Sequence, residues 1–272
     1  MALIPKIYMD SLVSIGVKRN NITKWIGTGF IVCKAKDDRY VWLYLVTNKH
    51  VLENEQVVWI KLHNNKQNTD IEIEVPLFDN DNVNYSVHPN SQIDIAVIFL
   101  NGSYMESNNL TTGYIDIDKN AMSSDELHAN GISEGNLAYM LGYPMGLVNV
   151  NSKTPICRMG CIARMSQEQI DESNNILMDI QNFPGNSGSP VFLRPEPLAI
   201  KGTEGFSRCV LIGIIHSYIP YRDYLVSRQT SETIEVRTEN SGLANMHPVE
   251  FIREVVNIEH QKKNSQTVKT EN

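Results

Sequence analysis

Three residues able to run acyl-transfer chemistry together occur in order along this chain: His50, Asp94 and Ser187. Ser187 lies in the stretch QNFPGNSGSPVF, between Gly185 and Gly188. A serine hydroxyl is a poor nucleophile at neutral pH. It needs a neighbouring base, usually histidine, that is itself oriented by a carboxylate. It also needs N–H donors aimed at the developing oxyanion. Flanking glycines let the backbone take unusual angles and let a substrate approach closely. The turn Gly185-Asn186-Ser187 can therefore offer both the hydroxyl and the donors, with the N–H groups of Gly185 and Ser187 converging on one point. A lone GxSG string is ordinary loop vocabulary, so the other two residues carry the weight. His50 follows the strand-like run YLVTNKHV, and Asp94 immediately precedes the apolar run in IDIAVIFL. His, Asp, Ser is one of the known chain orders for such a triad.

These residues must be positioned by strands. SLVSIGV, GTGFIVC, YVWLYLVT, QVVWIKL, IEIEVPL, IDIAVIFL, LAYMLGY, CRMGCIARM, NNILMDI, SPVFL, CVLIGIIHSY and ETIEVRT are short, rich in β-branched or aromatic residues, and separated by turn residues. KAKDDR reads as a hairpin tip. About a dozen strands at this spacing predict a closed or packed all-β architecture. Helical periodicity is convincing only in HPVEFIREVVNIEH, where Val249, Ile252, Val255 and Val256 share a stripe and Pro248 stands near the start. Residues 101–126, rich in Asn and Ser, read as a long surface connection. Residues 258–272, with little apolar content, read as a disordered tail.

The chain has 272 residues, 42% hydrophobic and 20% charged, with a net charge of −7. That balance, without a basic cluster, argues against a nucleic-acid groove. No apolar stretch approaches a membrane span, and the N-terminal residues lack the pattern of a secretory signal. Cys33, Cys157, Cys161 and Cys209 form neither a CxxC pair nor a zinc spacing, so no metal or cofactor is expected. Reduced, mostly buried thiols are expected, and a cytoplasmic setting. His63, His88, His128, His247 and His260 read as ordinary surface or cap histidines.

Taken together, the motifs resemble the trypsin-like (chymotrypsin-fold) serine peptidases, with local wording closest to the bacterial HtrA/Deg branch. GTGFIV resembles the GSGF segment of the first barrel, VTNKHV the catalytic-histidine turn, and IDIAVI the catalytic-aspartate strand. LGYPMGL resembles the segment opening the second barrel, and MDIQNFPGNSGSPVF the nucleophile loop. LIGIIHS is similar to the strand lining the substrate cleft, and SGLANMHPVEFIREVV to the closing strand and helix. The resemblance implies two six-stranded antiparallel β-barrels with a C-terminal helix and a cleft between the barrels. It implies a peptidase domain over residues 1–257, with subdomains at roughly 10–110 and 130–245. His50 would be general base and then general acid, Asp94 would hold its tautomer, and Ser187 would be the nucleophile. A polypeptide would be the substrate, and a homo-oligomer or a regulatory partner protein stays open.

The departures are informative. Secreted members are switched on when a new N-terminal ammonium pairs with an Asp just before the nucleophile. Asn186 stands at that position and cannot form the pair, so activation by N-terminal cleavage is not expected. HtrA-type chains normally append a PDZ domain, and with so few residues after the terminal helix none is expected here. By resemblance, Gln181, Asn182 and Phe183 would lie at the pocket floor, and Ile215, His216, Ser217 and Tyr218 would form the opposite edge. The floor is then uncharged, which favours small or medium uncharged side chains. Glutamate-specific relatives use a cleft histidine two residues after a glycine. His216 falls three after Gly213, a register that turns its side chain away from the pocket. Glutamate specificity and a catalytically silent peptide-binding pseudoprotease remain the alternatives to a serine endopeptidase.

Overall fold

The computed structural model of the protein describes residues 3–80, 82–149, 151–198 and 205–270. Two β assemblies follow one another along the chain. The first uses β1 (Leu12–Arg19), β2 (Ile22–Ala35), β3 (Val41–Thr47), β4 (Val57–Asn64), β5 (Thr69–Pro76), β6 (Phe78–Asp79), β7 (Asn82–Val83), β8 (Tyr85–Val87), β9 (Ala96–Leu100), β10 (Leu110–Thr111) and β11 (Ile115–Asp116). The second uses β12 (Leu137–Gly142), β13 (Ile156–Arg164), β14 (Ile176–Asp179), β15 (Pro190–Leu193), β16 (Val210–Val226) and β17 (Thr233–Pro248). Helices are short, from α1 (Lys6–Asp10) through α2 (Lys49–Leu52), α3 (Gly102–Ser107), α4 (Ser124–Ala129) and α5 (Gln167–Ser173), until α6 (Val249–Thr270).

Turn chemistry sets the register of the first sheet. Asn20 (φ 51°) and Asn21 (φ 62°) are both left-handed, the requirement of a tight two-residue hairpin, and they pair Arg19 with Ile22. Between β2 and β3 the Asp37 carboxylate accepts from the N–H groups of Arg39 and Tyr40, at 2.8 and 2.9 Å.

The second assembly is a closed barrel in the order β12-β13-β14-β17-β16-β15. Ala138, Met140, Ile162, Met178, Val191, Ile212, Ile215 and Met246 are among the residues of its core. The first assembly runs β10-β4-β1-β2-β3-β9-β8, with β5 on β4 and β11 on β2. Among the described residues no ladder joins β5 to β8, so the expected first closed barrel is a sheet with an open seam. The reason is local: β8 has three residues, and the β6–β7 hairpin occupies the chain between the two edges. Helix α6 packs on β8 and β9 instead.

Two further expectations are corrected. Residues 258–270 are not a disordered tail but the continuation of α6. Glu259 is fully buried and accepts from Ser86 Oγ at 2.6 Å, and His260 bonds the Tyr44 hydroxyl at 2.8 Å while packing against Trp42. Low apolar content hid this, because the anchors are polar. The connection at 101–126 is not purely superficial either: Leu110, Ile115, Ile117, Ala121 and Met122 are buried. Ile115 and Ile117 enter a core that joins the two halves, with Phe30 and Tyr44 from the first sheet, Phe192 and Ile214 from the barrel, and Val249, Ile252, Val255 and Val256 from α6. The four cysteines are free thiols, and Cys157 is exposed, against the expectation of burial. No described helix is long and apolar enough to cross a membrane. Beyond the barrel, β16 and β17 continue as a two-stranded arm, residues 220–226 against 233–240, with nearly every side chain exposed.

Candidate active site

The β3–β9 ladder ends by pairing Thr47 with Ala96, which sets the next residues of the two strands side by side. His50 stands one turn beyond β3, on α2, and Asp94 two residues before β9. Asp94 Oδ2 meets His50 Nδ1 at 2.5 Å, and Oδ1 accepts from the His50 backbone N–H at 3.0 Å. Both carboxylate oxygens are thus engaged by one residue. Burial alone would raise the Asp94 pKa. The side-chain hydrogen bond from His50, its charge and its backbone N–H outweigh burial and hold the carboxyl below its ordinary value. An ionised Asp94 accepts, so Nδ1 of His50 carries the proton of that bond, and of the two neutral tautomers it selects the one with the lone pair on Nε2.

The backbone at Asp94 is held as firmly as its side chain. Asn48 Nδ2 donates to its carbonyl at 2.7 Å, and its N–H donates to His247 Nε2 at 3.0 Å. His247 Nδ1 in turn donates to the carbonyl of Asn174 at 2.8 Å. With one nitrogen accepting and the other donating to a carbonyl, His247 is fixed as the neutral Nδ1–H tautomer. The ring of His216 stacks on it, with centroids 4.0 Å apart and planes 5° apart, and its Nε2 meets Asn175 Oδ1 at 2.8 Å. Burial, reinforced by His247, pushes the His216 pKa down to about 3, and burial also lowers that of His247.

Ser187 sits on a turn that two glycines make possible. Gly185 (φ 96°) would place a Cβ 2.4 Å from the carbonyl oxygen of Tyr143, and Gly188 (φ 86°) would place one 2.0 Å from that of Thr28. Thr28, on β2 of the other half, pins the turn: its N–H donates to the Ser187 carbonyl at 2.8 Å and its hydroxyl to the Gly185 carbonyl at 2.7 Å. Thr47, three residues before His50, donates to the Thr28 carbonyl at 2.8 Å. The nucleophile turn and the His50 helix are therefore tied to the same two threonines. Among the described residues no acceptor takes the N–H of Gly185 or of Ser187. Nor does Ser187 Oγ share a hydrogen bond with His50 in this structure. Asn186 is 1% exposed, and neither end of its amide has a partner.

The expected pocket residues separate. Gln181 is exposed, with Nε2 3.4 Å from where a Cβ on Gly242 would stand. Asn182 is 5% exposed, and its carbonyl accepts from Asn240 Nδ2 at 2.5 Å. Phe183 is half-buried beneath the Arg158 guanidinium, 4.9 Å from the ring centroid. Ser217 Oγ accepts from Asn245 at 3.1 Å, and Tyr218 is 40% exposed. Two side chains leave the expected edge: Ile215 is fully buried in the barrel core, and His216 is spent on His247 and Asn175. The neighbourhood of Phe183 is also charged, by Arg158, rather than uncharged. Among the described residues no group of three His, Cys, Asp or Glu side chains could hold a metal.

Sequence reasoning missed Thr28, Thr47, His247 and Arg158. The two threonines lie inside quoted motifs, GTGFIV and VTNKHV. Nothing local marks His247 or Arg158, because their partners are distant in sequence.

Comparison with known proteins places these elements in a family. No curated protein matches the sequence. Among solved structures, the apo MamO protease domain from Magnetospirillum magneticum is similar at 11% identity and a TM-score of 0.45, covering 91% of this chain and 96% of that one. A family model described as the trypsin-like peptidase domain matches residues 27–196, more than half of the chain, from the strand that pins the nucleophile turn to just past β15. The chain belongs to the trypsin-like peptidase domain family.

Proposed function

We propose that the chain is a serine endopeptidase in which Ser187, His50 and Asp94 form the catalytic triad. The observation that carries this reading is the His50–Asp94 pair, tied through Thr47 and Thr28 to a serine turn with two unclaimed N–H donors. Ser187 Oγ attacks the scissile carbonyl while its proton passes to His50 Nε2. Asp94 holds the ring in the tautomer that leaves Nε2 free, and its negative charge stabilises the imidazolium that forms. The Gly185 and Ser187 N–H groups take the oxyanion, with Asn186 forming the turn between them. His50 then gives the proton to the leaving amine, and water repeats the sequence on the acyl-enzyme. The neutral Asn186 supports activity without N-terminal cleavage. The HtrA/Deg-like motifs support an enzyme of that type, and the free thiols support a reducing, cytoplasmic setting.

One observation favours a second reading. Without a Ser187–His50 hydrogen bond, the same fold serves as a peptide-binding pseudoprotease. Catalytic hydrogen bonds often tighten only when substrate binds, and a fluorophosphonate probe separates the two readings by reactivity. The triad predicts one covalent adduct at pH 7–8, lost in Ser187→Ala with an unchanged circular dichroism spectrum. Folded protein that takes no adduct, yet binds peptides, supports the pseudoprotease.

A further inference from the structure

Arg158 is placed where a charge is hard to explain without a ligand. It pairs in register with Met140, which is 1% exposed in the barrel core, just as Gly160 pairs with the buried Ala138. Ile162, further along the same face, is in the core as well. Strand alternation therefore turns Arg158 toward the inner face of the barrel, at its end. Among the described residues no carboxylate lies within ion-pair distance of its side chain, and nothing accepts a hydrogen bond from its guanidinium. Its Nε is buried without a partner. The guanidinium rests on the face of Phe183, at 4.9 Å.

Asn182 is the chain neighbour of Phe183 and is itself buried. It follows Ile180, which is 2% exposed in the core, by two residues, and is itself 5% exposed with Oδ1 unpartnered. Asn182 Nδ2 also donates to no described residue. The nearest carboxylate on this strand, Asp179, is exposed and lies on the opposite face, between the buried Met178 and Ile180. An unneutralised guanidinium and an amide with spare hydrogen-bonding capacity thus share one end of the barrel, beside the nucleophile turn.

We propose that Arg158 and Asn182 form the floor of the specificity pocket, and that the side chain bound there is a carboxylate: aspartate or glutamate at the residue preceding the scissile bond. The assignment rests on the peptidase reading above. A carboxylate accepts two parallel bonds from a guanidinium and a third from the amide. A lysine or arginine side chain is repelled by Arg158. An apolar or amide side chain leaves the guanidinium without an anion in a partly desolvated site. His216, engaged with His247 and Asn175, takes no part.

The test is a set of quenched peptides differing only at that residue. Wild type should cleave after Glu or Asp with kcat/KM about 10⁴-fold above the Gln and Asn twins, the scale on which sites built around a polar contact reject analogues lacking it. Arg158→Gln should lose that preference, and Arg158→Glu should move cleavage toward Lys and Arg, with circular dichroism confirming both folds. Inhibition of wild type by a product peptide ending in Glu, and not by its Gln twin, makes the same test without a variant. Labelling of wild type by the fluorophosphonate without any acidic preference overturns the pocket alone. Absence of labelling overturns the peptidase reading and the pocket with it. An acidic preference that survives Arg158→Gln overturns the role of Arg158.

Discussion

The two halves of the molecule meet the same demand in different ways. The barrel of β12–β17 closes on its own hydrogen bonds, so its shape is fixed by its six strands. The N-terminal sheet has an open seam between β5 and β8, and it is completed from outside by α6. Yet the open half supplies His50 and Asp94, the pair whose spacing is tightest, while the closed half supplies the serine turn. Closure is evidently not what gives precision. The precise contacts are made by side chains that cross from one half to the other: Thr28 to the Gly185 carbonyl and His247 to the Asp94 backbone.

The largest test of this contrast removes the external support. Deleting residues 258–272 strips the Ser86–Glu259 and Tyr44–His260 hydrogen bonds and uncovers Trp42 and Tyr44. We expect a loss on the order of 3 kcal/mol, from two buried polar contacts and the apolar area above them. Hydrogen exchange should accelerate in β3, β8 and β9 and stay slow in the barrel. Uniform acceleration in both halves would show that they unfold as one unit.

A smaller effect probes the crossing contacts. His247→Phe removes the acceptor for the Asp94 N–H and leaves that group buried and unpaired, at a cost of about 1–3 kcal/mol. If His247 positions Asp94, kcat should fall about 10- to 100-fold with KM nearly unchanged. His247→Gln, which can still accept, should recover part of the loss. A rise in KM alone would assign His247 to packing rather than to the triad.

The last effect is absent at neutral pH and appears only as a slope below it. His216 is faced by His247, Asp94, His50 and Asn175, and its pKa is depressed to about 3. The folded state therefore stays neutral there while the unfolded chain takes up a proton below the ordinary histidine value of 6.5. Stability should fall as pH drops from that value toward 3, at up to about 1.4 kcal/mol per pH unit for each such group. His216→Gln should flatten the slope in urea-denaturation midpoints measured between pH 6.5 and 4. Asp94, an acid held ionised rather than a base held neutral, keeps its contribution above the ordinary carboxyl value of 3.8 and loses it only at lower pH. An unchanged slope in His216→Gln would mean that the ring is protonated within the fold.

Strands and the serine turn were legible because their signals are local. Alternation marked the sheet segments, and the glycines around Ser187 marked a turn that no other residue fits. Helix α6 beyond Asn257 was illegible for the opposite reason. Its anchors, Glu259 and His260, look like tail residues until Ser86 and Tyr44 are brought to them across long sequence separations. The open seam escaped as well, since strand count and spacing do not report which edges meet. Arg158 gave no signal because an arginine is remarkable only for lacking a carboxylate, and that depends on every neighbour.

The docking of α6 has a consequence for the order in which the protein is made. Glu259 reaches Ser86 across 173 residues of chain, and His260 reaches Tyr44 across 216. At ribosomal rates of about 5–20 residues per second, the first sheet waits roughly 10 to 40 seconds for the helix that covers it. During that interval Trp42, Tyr44 and the short edge strand β8 lack their cover, while the barrel, whose strands follow later, closes without help. The half that emerges first is thus the last to be finished, and it is the half that a chaperone would have most reason to hold.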